Sequence, residues 1–226
     1  IHIPFCESRC IYCGFYSTTS LKLRDNYVDA LCREMQMRPA KAALGSDDTI
    51  ETIYLGGGTP SQLNGSQLSQ IFSAIRKNYT LADNMEITME CNPDDVTEHF
   101  CETLKKLPVN RISMGAQTFS NERLRFLHRR HNAEEVEEAV TRLRNIGISN
   151  ISIDLMFGFP EESLSQWMSD IRHAIQLDVE HISAYSLMYE EGTILYRMLE
   201  QGKISEIDEE TSRKMYEILI DQLTGA

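Results

Sequence analysis

Short apolar runs rich in β-branched residues alternate with apolar stripes at helical spacing along the chain. Such runs bounded by turn residues predict strands, and apolar residues three and four positions apart predict amphipathic helices. The predicted strands cover residues 1–3, 51–55, 85–89, 111–114, 150–156 and 181–187. The helical stripes are Tyr27/Val28/Leu31/Met35, Leu68/Ile71/Phe72/Ile75, Phe100/Leu104/Leu107, Val136/Ala139/Val140/Leu143 and Leu164/Trp167/Met168/Ile171/Ile175. Two final helices are predicted at 193–200 and 209–223, and the polar residues Ser46 to Asp48 break the pattern.

A strand followed by a helix, repeated six times, predicts a parallel sheet with helices on its outside. An open doubly wound sheet and a curved partial barrel both satisfy this order. Polar residues and glycines cluster directly after the strands, where (β/α) barrels place their functional groups. The pattern therefore predicts an α/β fold with a site at the carboxyl ends of the strands.

Three cysteines, Cys6, Cys10 and Cys13, lie on the predicted loop after the first strand. Their close spacing lets three thiolates converge on one soft metal centre. Three thiolates can hold three irons of a [4Fe–4S] cluster, which leaves the fourth iron open to an exogenous ligand. A zinc site that adds His2 as the fourth ligand is one alternative, and a disulfide is another.

Glycines and two carboxylates follow other predicted strands. The glycines at 56–58 permit close backbone approach to a ligand, although a tight turn has the same signature. Glu90 ends the third strand, where a lone carboxylate is ordinarily solvated or caps a helix. Asp154 differs, because a carboxylate inside an apolar strand must be paired or bound to a ligand.

The remaining cysteines and histidines have structural interpretations. Cys32, Cys91 and Cys101 are scattered, and Cys91 is interpreted as a packed thiol rather than a fourth metal ligand. His128 and His131 belong to a basic string that is typical of a helix end or a solvated face, so both are predicted on the surface. Clustering of three cysteines among six indicates a reducing cytoplasm rather than a disulfide framework.

The bulk composition limits the classes of partner. A formal net charge of −12 argues against a nucleic-acid or anionic-membrane surface. The longest apolar runs are far too short for a membrane span, and no signal-peptide pattern is present. The 226 residues suffice for one large domain. A start at Ile1 and an end at Ala226, just after an amphipathic helix, suggest the ordered part of a longer protein.

The string Cys-x₃-Cys-x₂-Cys, with Tyr12 just before its last cysteine, resembles the radical S-adenosylmethionine (SAM) superfamily. The resemblance also rests on Gly-Gly-Gly-Thr-Pro at 56–60, Glu-Cys-Asn-Pro at 90–93 and Ile-Asp-Leu-Met-Phe-Gly-Phe-Pro at 153–160. It implies that SAM occupies the open iron and is cleaved reductively to methionine and a 5′-deoxyadenosyl radical. The SAM contacts implied by matching positions are Tyr12, Gly57, Gly58, Thr59, Glu90, Gln117, Arg129, Asp154 and Met188.

The resemblance runs from Ile1 to about Gly192. It implies that residues 1–192 form a (β/α)₆ three-quarter barrel with parallel strands inside and helices outside. Residues 193–226 would then be a helical extension that leads to a further C-terminal domain. One departure is Phe157, which replaces the tyrosine of the family's motif.

The string from His2 to Phe15 resembles the oxygen-independent coproporphyrinogen III oxidase branch of the superfamily, which includes haem chaperones. The oxidases carry a further cysteine at the position of Phe15, whereas the chaperones do not. Gly14, by contrast, is more similar to the oxidases. The resemblance implies a haem chaperone as the first hypothesis. An oxidase that converts propionates to vinyl groups is the second, so the resemblance leaves open whether the protein is an enzyme.

The resemblance also implies partners. They are haem or a porphyrinogen, an electron donor of the flavodoxin or ferredoxin type, and a haem acceptor protein. The chaperones would be expected to bind haem in a C-terminal region beyond Ala226. No catalytic residue is assigned.

Overall fold

The computed structural model describes residues 1–38 and 49–226, and within these ranges six parallel strands form one sheet. The strands are β1 (His2–Ile3), β2 (Ile50–Gly57), β3 (Leu81–Cys91), β4 (Arg111–Gln117), β5 (Asn150–Phe157) and β6 (His181–Ser186). The helices are α1 (Arg24–Met37), α2 (Gly65–Asn78), α3 (Glu98–Leu104), α4 (Asn121–Phe126), α5 (Ala133–Asn145), α6 (Leu164–Gln176), α7 (Ile194–Glu200) and α8 (Glu209–Thr224).

The strands pair in chain order from β1 to β6. A doubly wound sheet reverses its strand order at a switch point, whereas this sheet does not reverse among the described strands. The order is that of a partial (β/α)₆ barrel, so the predicted α/β fold is confirmed and its doubly wound alternative is not. The carboxyl ends of all six strands consequently lie at one edge.

One face of the sheet packs against the helices. Its strand residues are apolar and buried: Ile53, Leu55, Ile87, Met89, Ile112, Met114, Ile151 and Ile153. In α6, the ring of Trp167 packs 5.1 Å from that of Phe157, measured between centroids. Its Nε1 donates to the carbonyl of Met215 at 2.9 Å, which attaches α8 to this layer. Burial of this apolar surface is the main force that holds the layers together.

The inner face of the sheet is polar. Side chains alternate between faces along a strand, so the neighbours of the buried apolar residues point inward. Contacts across the strands show this: Arg111 Nη1 donates to Thr88 Oγ1 at 3.3 Å, and Ser152 Oγ lies 2.8 Å from His181 Nδ1. Closed barrels fill this space with branched apolar residues. The polar inner face here is suited to a polar ligand.

The periodicity located most elements, with two exceptions. The helix α4 was not predicted, because its six residues are too few to show an apolar stripe. Strand β3 begins at Leu81, earlier than expected. The polar break at Ser46 to Asp48 lies outside the described residues. Within the two described ranges, no helix is both long and apolar enough to cross a bilayer.

Candidate functional site

The loop that follows β1 is anchored to the rest of the barrel by backbone hydrogen bonds. It carries the three predicted metal ligands Cys6, Cys10 and Cys13, all free and partly buried. At the start of the loop, Thr18 N donates to Pro4 O at 2.7 Å. In its middle, Ile11 N donates to Leu127 O at 3.2 Å, next to the end of α4. The loop is therefore held against the carboxyl edge of the sheet.

Two polar side chains from other loops donate hydrogen bonds to the cysteine sulfurs. Thr59 Oγ1 lies 3.5 Å from Cys6 Sγ, and Arg129 Nη1 lies 3.6 Å from Cys10 Sγ. The thiolate is the form of cysteine that binds metals. Burial raises the pKa of Cys13. Hydrogen bonds to cluster ligands also tune the reduction potential of iron–sulfur sites.

His2 does not join the cysteines. Its Nε2 lies 3.1 Å from the carbonyl oxygen of Tyr16, and its ring packs so closely on Gly57 that an added Cβ there would clash. This placement removes the fourth ligand of the zinc alternative. In the described part of the chain, no group of three His, Cys, Asp or Glu side chains is placed to hold a metal ion. Thiolates that each bind a different iron of a cluster need not approach one another as ligands of one ion do.

The glycine run brings the end of β2 against β1. Gly58 N donates to Ile3 O at 2.8 Å, and a Cβ at Gly58 would lie only 2.8 Å from that oxygen. Gly57 has φ of +114°, a conformation that side-chain-bearing residues rarely adopt. The two predicted positions therefore require glycine for steric reasons, and they expose backbone at the site.

Glu90 is held in place by two donors. Tyr54 Oη donates to its Oε1 at 2.8 Å, and Gly57 N donates to its Oε2 at 2.9 Å. The carboxylate lies over Gly56, where a Cβ would be 2.8 Å from Glu90 Cδ. Each oxygen keeps a free lone pair for a ligand. Glu90 thus orients the glycine run as well as offering its own charge.

Arg129 and Gln117 lie together over Gly115 on the inner face. Arg129 Nη2 donates to Asn92 Oδ1 at 2.7 Å and to Gly115 O at 2.8 Å. Its Nε is buried and has no partner among the described residues. A Cβ on Gly115 would lie 2.5 Å from Gln117 Nε2 and 3.2 Å from Arg129 Nη2. The absent side chain of Gly115 makes room for both groups.

Asp154 faces the same space. It pairs in register with Gly115 on one side and with Ser183 on the other. Burial raises its pKa to about 6, and the negative charge of Glu90 adds to the shift. A hydrogen bond with Ser183 and the more weakly acting cations oppose it. A carboxyl group with this pKa can either donate or accept a hydrogen bond near neutral pH.

Tyr12 and Met188 are the other predicted contacts. Tyr12 is partly buried beside the cysteines, and burial raises the pKa of its hydroxyl group. Met188 is 63% exposed after β6, so the structure does not bring it against the strand-end groups. Gly14 lies close to Glu190, since a Cβ on Gly14 would be 3.4 Å from Glu190 Cβ. The cysteine loop and the loop after β6 are therefore neighbours.

His131 corrects the surface prediction for the basic string. Its side chain is buried, 3% exposed, and its Nε2 lies 3.1 Å from Ala116 O. Burial lowers the pKa of His131 to about 3, so the imidazole is neutral. The string does begin at a helix end, because α4 ends at Phe126 and Leu127 is its C-cap residue, but the chain then turns so that His131 faces the Ala116 carbonyl. His128 is exposed as predicted.

Arg130 was not predicted as a site residue. It pairs with Glu7 on the cysteine loop and with Asp94 and Asp95 after β3, at 2.9 and 2.8 Å for the latter two. Asp95 also accepts from Ser61 Oγ at 2.6 Å. The loops after β1, β2 and β3 are thereby joined. No local pattern marks this role, because Glu7 is 123 residues away in the chain.

The donor set fits a cluster and a small zwitterionic ligand. Three thiols share one loop, and two of them receive hydrogen bonds from Thr59 and Arg129. A positive charge close to the sulfurs offsets the negative charge that a thiolate-bound cluster carries. The buried Arg129 Nε without a described partner and the carboxyl group of Asp154 provide both signs of hydrogen-bonding group beside it.

Comparisons with known proteins identify a family and several relatives to which this chain is similar. The family model of the radical SAM superfamily matches residues 1–174. The chain is 38% identical over 226 residues to the haem chaperone HemW of Bacillus subtilis, covering 99% of this chain and 59% of that protein. It is 38% identical over 197 residues to HemW of Escherichia coli, covering 86% of this chain and 51% of that protein.

Among solved structures, the chain is similar to coproporphyrinogen III oxidase (HemN) from Escherichia coli, which is described as a radical SAM enzyme. The TM-score is 0.86 at 27% identity, covering 99% of this chain and 51% of that chain. The chain thus spans between half and three fifths of the length of these relatives.

Proposed function

Because the chain belongs to the radical SAM superfamily, we propose that Cys6, Cys10 and Cys13 hold a [4Fe–4S] cluster whose open iron binds SAM. The observation that carries this proposal is the pair of hydrogen bonds from Thr59 and Arg129 to two of the three sulfurs. These donors come from the loop after β2 and from the segment after α4. They mark the cysteine loop as one side of a shared site.

SAM lies across the carboxyl ends of the strands in this proposal. Its ammonium, sulfonium and ribose hydroxyl groups are partners for carboxylates and for exposed backbone carbonyls. The groups available to it are Tyr12, Gly57, Gly58, Thr59, Glu90, Gln117, Arg129 and Asp154, with Met188 reaching the site only if its exposed side chain turns inward. Their arrangement on one edge of the sheet supports the placement.

When bound, the reduced cluster and SAM supply one-electron chemistry. The residues of the chain supply fixed charges and position the backbone of the site. Arg129 places a fixed positive charge beside Cys10 and holds the Gly115 carbonyl. Glu90 fixes Gly57 and leaves acceptor capacity for a cationic group.

The full-length protein acts, in our proposal, as a haem chaperone in the cytoplasm. Its support is the similarity to haem chaperones over nearly the whole chain. The side chain of Phe15 stands where the oxidases carry a cysteine, and it is 72% exposed. A phenyl ring there offers apolar contact but no thiolate. The partners are haem, an electron donor of the flavodoxin or ferredoxin type, and a haem acceptor protein, while a charge of −12 disfavours nucleic acid.

The test uses full-length protein reconstituted without oxygen. Haem titration should give saturable Soret absorbance at about one haem per chain. Incubation with SAM, a reductant and coproporphyrinogen III should give no sustained protoporphyrin fluorescence after oxidation. Matched protein reconstituted without iron serves as the control for cluster-dependent turnover. Turnover of roughly 1 per second, or even a hundredfold slower, would contradict the chaperone and support the oxidase.

A further inference from the structure

Gln117 has a strained backbone at the centre of the proposed SAM site. Its φ is +68°, which is uncommon for a residue with a side chain. Thr118 N donates to Ala116 O at 2.9 Å, so a three-residue turn is centred on Gln117. A γ-turn with positive φ is the rarer and more strained of the two forms. The pairing of β4 with β5 shifts register at the same place, between Gly115 and Gln117.

A buried acidic residue fixes the chain immediately after this turn. Thr118 Oγ1 donates to Asp170 Oδ2 at 2.6 Å, and Phe119 N donates to Asp170 Oδ1 at 3.1 Å. Thr118 Oγ1 also accepts from Ser120 N at 3.1 Å. Asp170 lies on α6, 52 residues beyond Thr118. Both carboxylate oxygens are therefore used to position the exit of the turn.

Arg123 connects this contact to the next strand. Its guanidinium lies 3.4 Å from Asp170 Oδ2 and pairs with Glu162. Glu162 in turn accepts from Gly158 N at 2.7 Å, at the end of β5. The three charged side chains are 14%, 3% and 0% exposed for Arg123, Asp170 and Glu162. Burying charges is costly, and replacing such groups with apolar residues is often neutral or stabilising. Stability is therefore a weak reason for this arrangement.

We propose that Thr118, Arg123 and Asp170, the turn clamp, hold Gln117 in its strained conformation and so place its carboxamide beside Arg129. This inference rests on the proposed SAM site for its purpose, but its structural part stands without SAM. Strained backbone persists where the surroundings over-determine it, and such residues cluster at functional sites. The members of the turn clamp are positioning residues, because their hydrogen bonds and ion pairs join them to one another, to Phe119 N and to Glu162 rather than to the proposed SAM contacts.

The first experiment needs no ligand. Thermal unfolding of the full-length protein is compared for Gln117→Gly and Gln117→Ala, which both lack the carboxamide. Glycine tolerates positive φ, so the Gly variant should unfold about 2–4 °C above the Ala variant. The same pair is then made with Thr118→Val, which keeps the side-chain shape and removes the hydroxyl. The difference should fall below about 1 °C, because the turn relaxes once it is released.

The second experiment measures SAM affinity by calorimetry on reconstituted protein. Thr118→Val should weaken SAM binding about 5- to 10-fold, the effect of one lost hydrogen bond. Thr118→Ser keeps the hydroxyl and should restore binding to within about twofold of the parent. In the Gln117→Ala background, Thr118→Val should change affinity by less than about twofold, because the clamp then has no carboxamide to place.

The outcomes separate the two proposals. A Gly–Ala difference at position 117 that persists in Thr118→Val protein would overturn the turn clamp, since another contact would then impose the strain. Equal weakening of SAM binding with and without the Gln117 side chain would show that the clamp has only a structural role. Absence of SAM binding by the parent protein would refute the proposed function, and the unfolding comparison would still decide the clamp.

Discussion

Replacing Asp154 with asparagine should make the protein more stable and its SAM binding weaker. Asparagine keeps the size of the side chain and its capacity to bond with Ser183, but it cannot ionise. In the folded protein, burial and the charge of Glu90 disfavour the ionised carboxylate. Removal of the charge relieves this penalty, whereas a cationic or hydroxyl-bearing ligand loses a charged partner.

The size of the effect follows from the pKa. The pKa of Asp154 rises from 3.8 to about 6 on folding. At 1.36 kcal/mol per pKa unit, this difference of about 2 is worth roughly 3 kcal/mol. Partial solvent access reduces the expected gain to roughly 1–2 kcal/mol. Loss of a hydrogen bond to a charged group should weaken SAM binding by about 1–3 kcal/mol. Stability and affinity therefore move in opposite directions.

The predicted direction of the stability change in Asp154→Asn can be tested by its dependence on pH. The folded pKa of Asp154 lies above the unfolded value, so the folded protein binds more protons between about pH 4 and pH 6. Its contribution to stability is therefore lost as pH rises through this window. Urea unfolding of cluster-free protein should show a gain for Asp154→Asn at pH 7 and almost none at pH 4. SAM affinity is measured separately on reconstituted protein at pH 7.

The matched control is Asp83→Asn, which changes an exposed carboxylate near the start of β3. It should shift stability by less than about 0.5 kcal/mol at either pH, and it should leave SAM affinity unchanged. Destabilisation of Asp154→Asn at pH 7 would refute the reasoning, because Asp154 would then be an ionised group with a favourable partner. A stability gain with unchanged SAM affinity would remove Asp154 from the SAM site.

Two further sets of substitutions test the cysteine loop and the glycine run beside it. In anaerobically reconstituted protein, Cys6→Ala, Cys10→Ala and Cys13→Ala should each lower iron and sulfide well below about four per chain, and full iron content in all three would refute the cluster. Gly58→Ala should cost roughly 1–3 kcal/mol in urea unfolding, because its Cβ would lie 2.8 Å from the Ile3 carbonyl oxygen. Gly14→Ala, whose Cβ would meet ordinary contact distances, is its control, and equal losses in both variants would contradict the steric argument.

Local patterns predicted what depends on neighbours in the sequence. Short apolar runs rich in β-branched residues defined the strands, and the parallel order then placed every strand-end residue at one edge. This is why Glu90, Asp154 and the glycine run could be expected to lie near the cysteine loop. Cys91 was also interpreted correctly as a packed thiol, since it is only 4% exposed on the helix-covered side of β3.

Contacts between distant segments could not be predicted in the same way. The residues that follow the strained turn at Gln117 contact Asp170, which belongs to α6, four elements after β4. His131 was wrongly expected at the surface, because its charged neighbours suggest solvation while its actual partner is the Ala116 carbonyl. A periodic pattern indicates which face of an element is buried, but it does not identify the hydrogen-bond partner that a buried polar side chain finds in the folded protein.

Two consecutive arginines join the cysteine loop to the sheet by opposite routes. Arg129 reaches inward to Cys10 and the Gly115 carbonyl, whereas Arg130 reaches Glu7 and Asp95. The two side chains diverge just after α4, where the chain makes a turn at Leu127 and His128 and a bend at Arg130. A single short segment thus fixes the loop both at a cysteine and at its rim. Movement of this segment would shift the cysteine loop and the Gly115 edge together, which couples the geometry of the metal ligands to that of the strand ends.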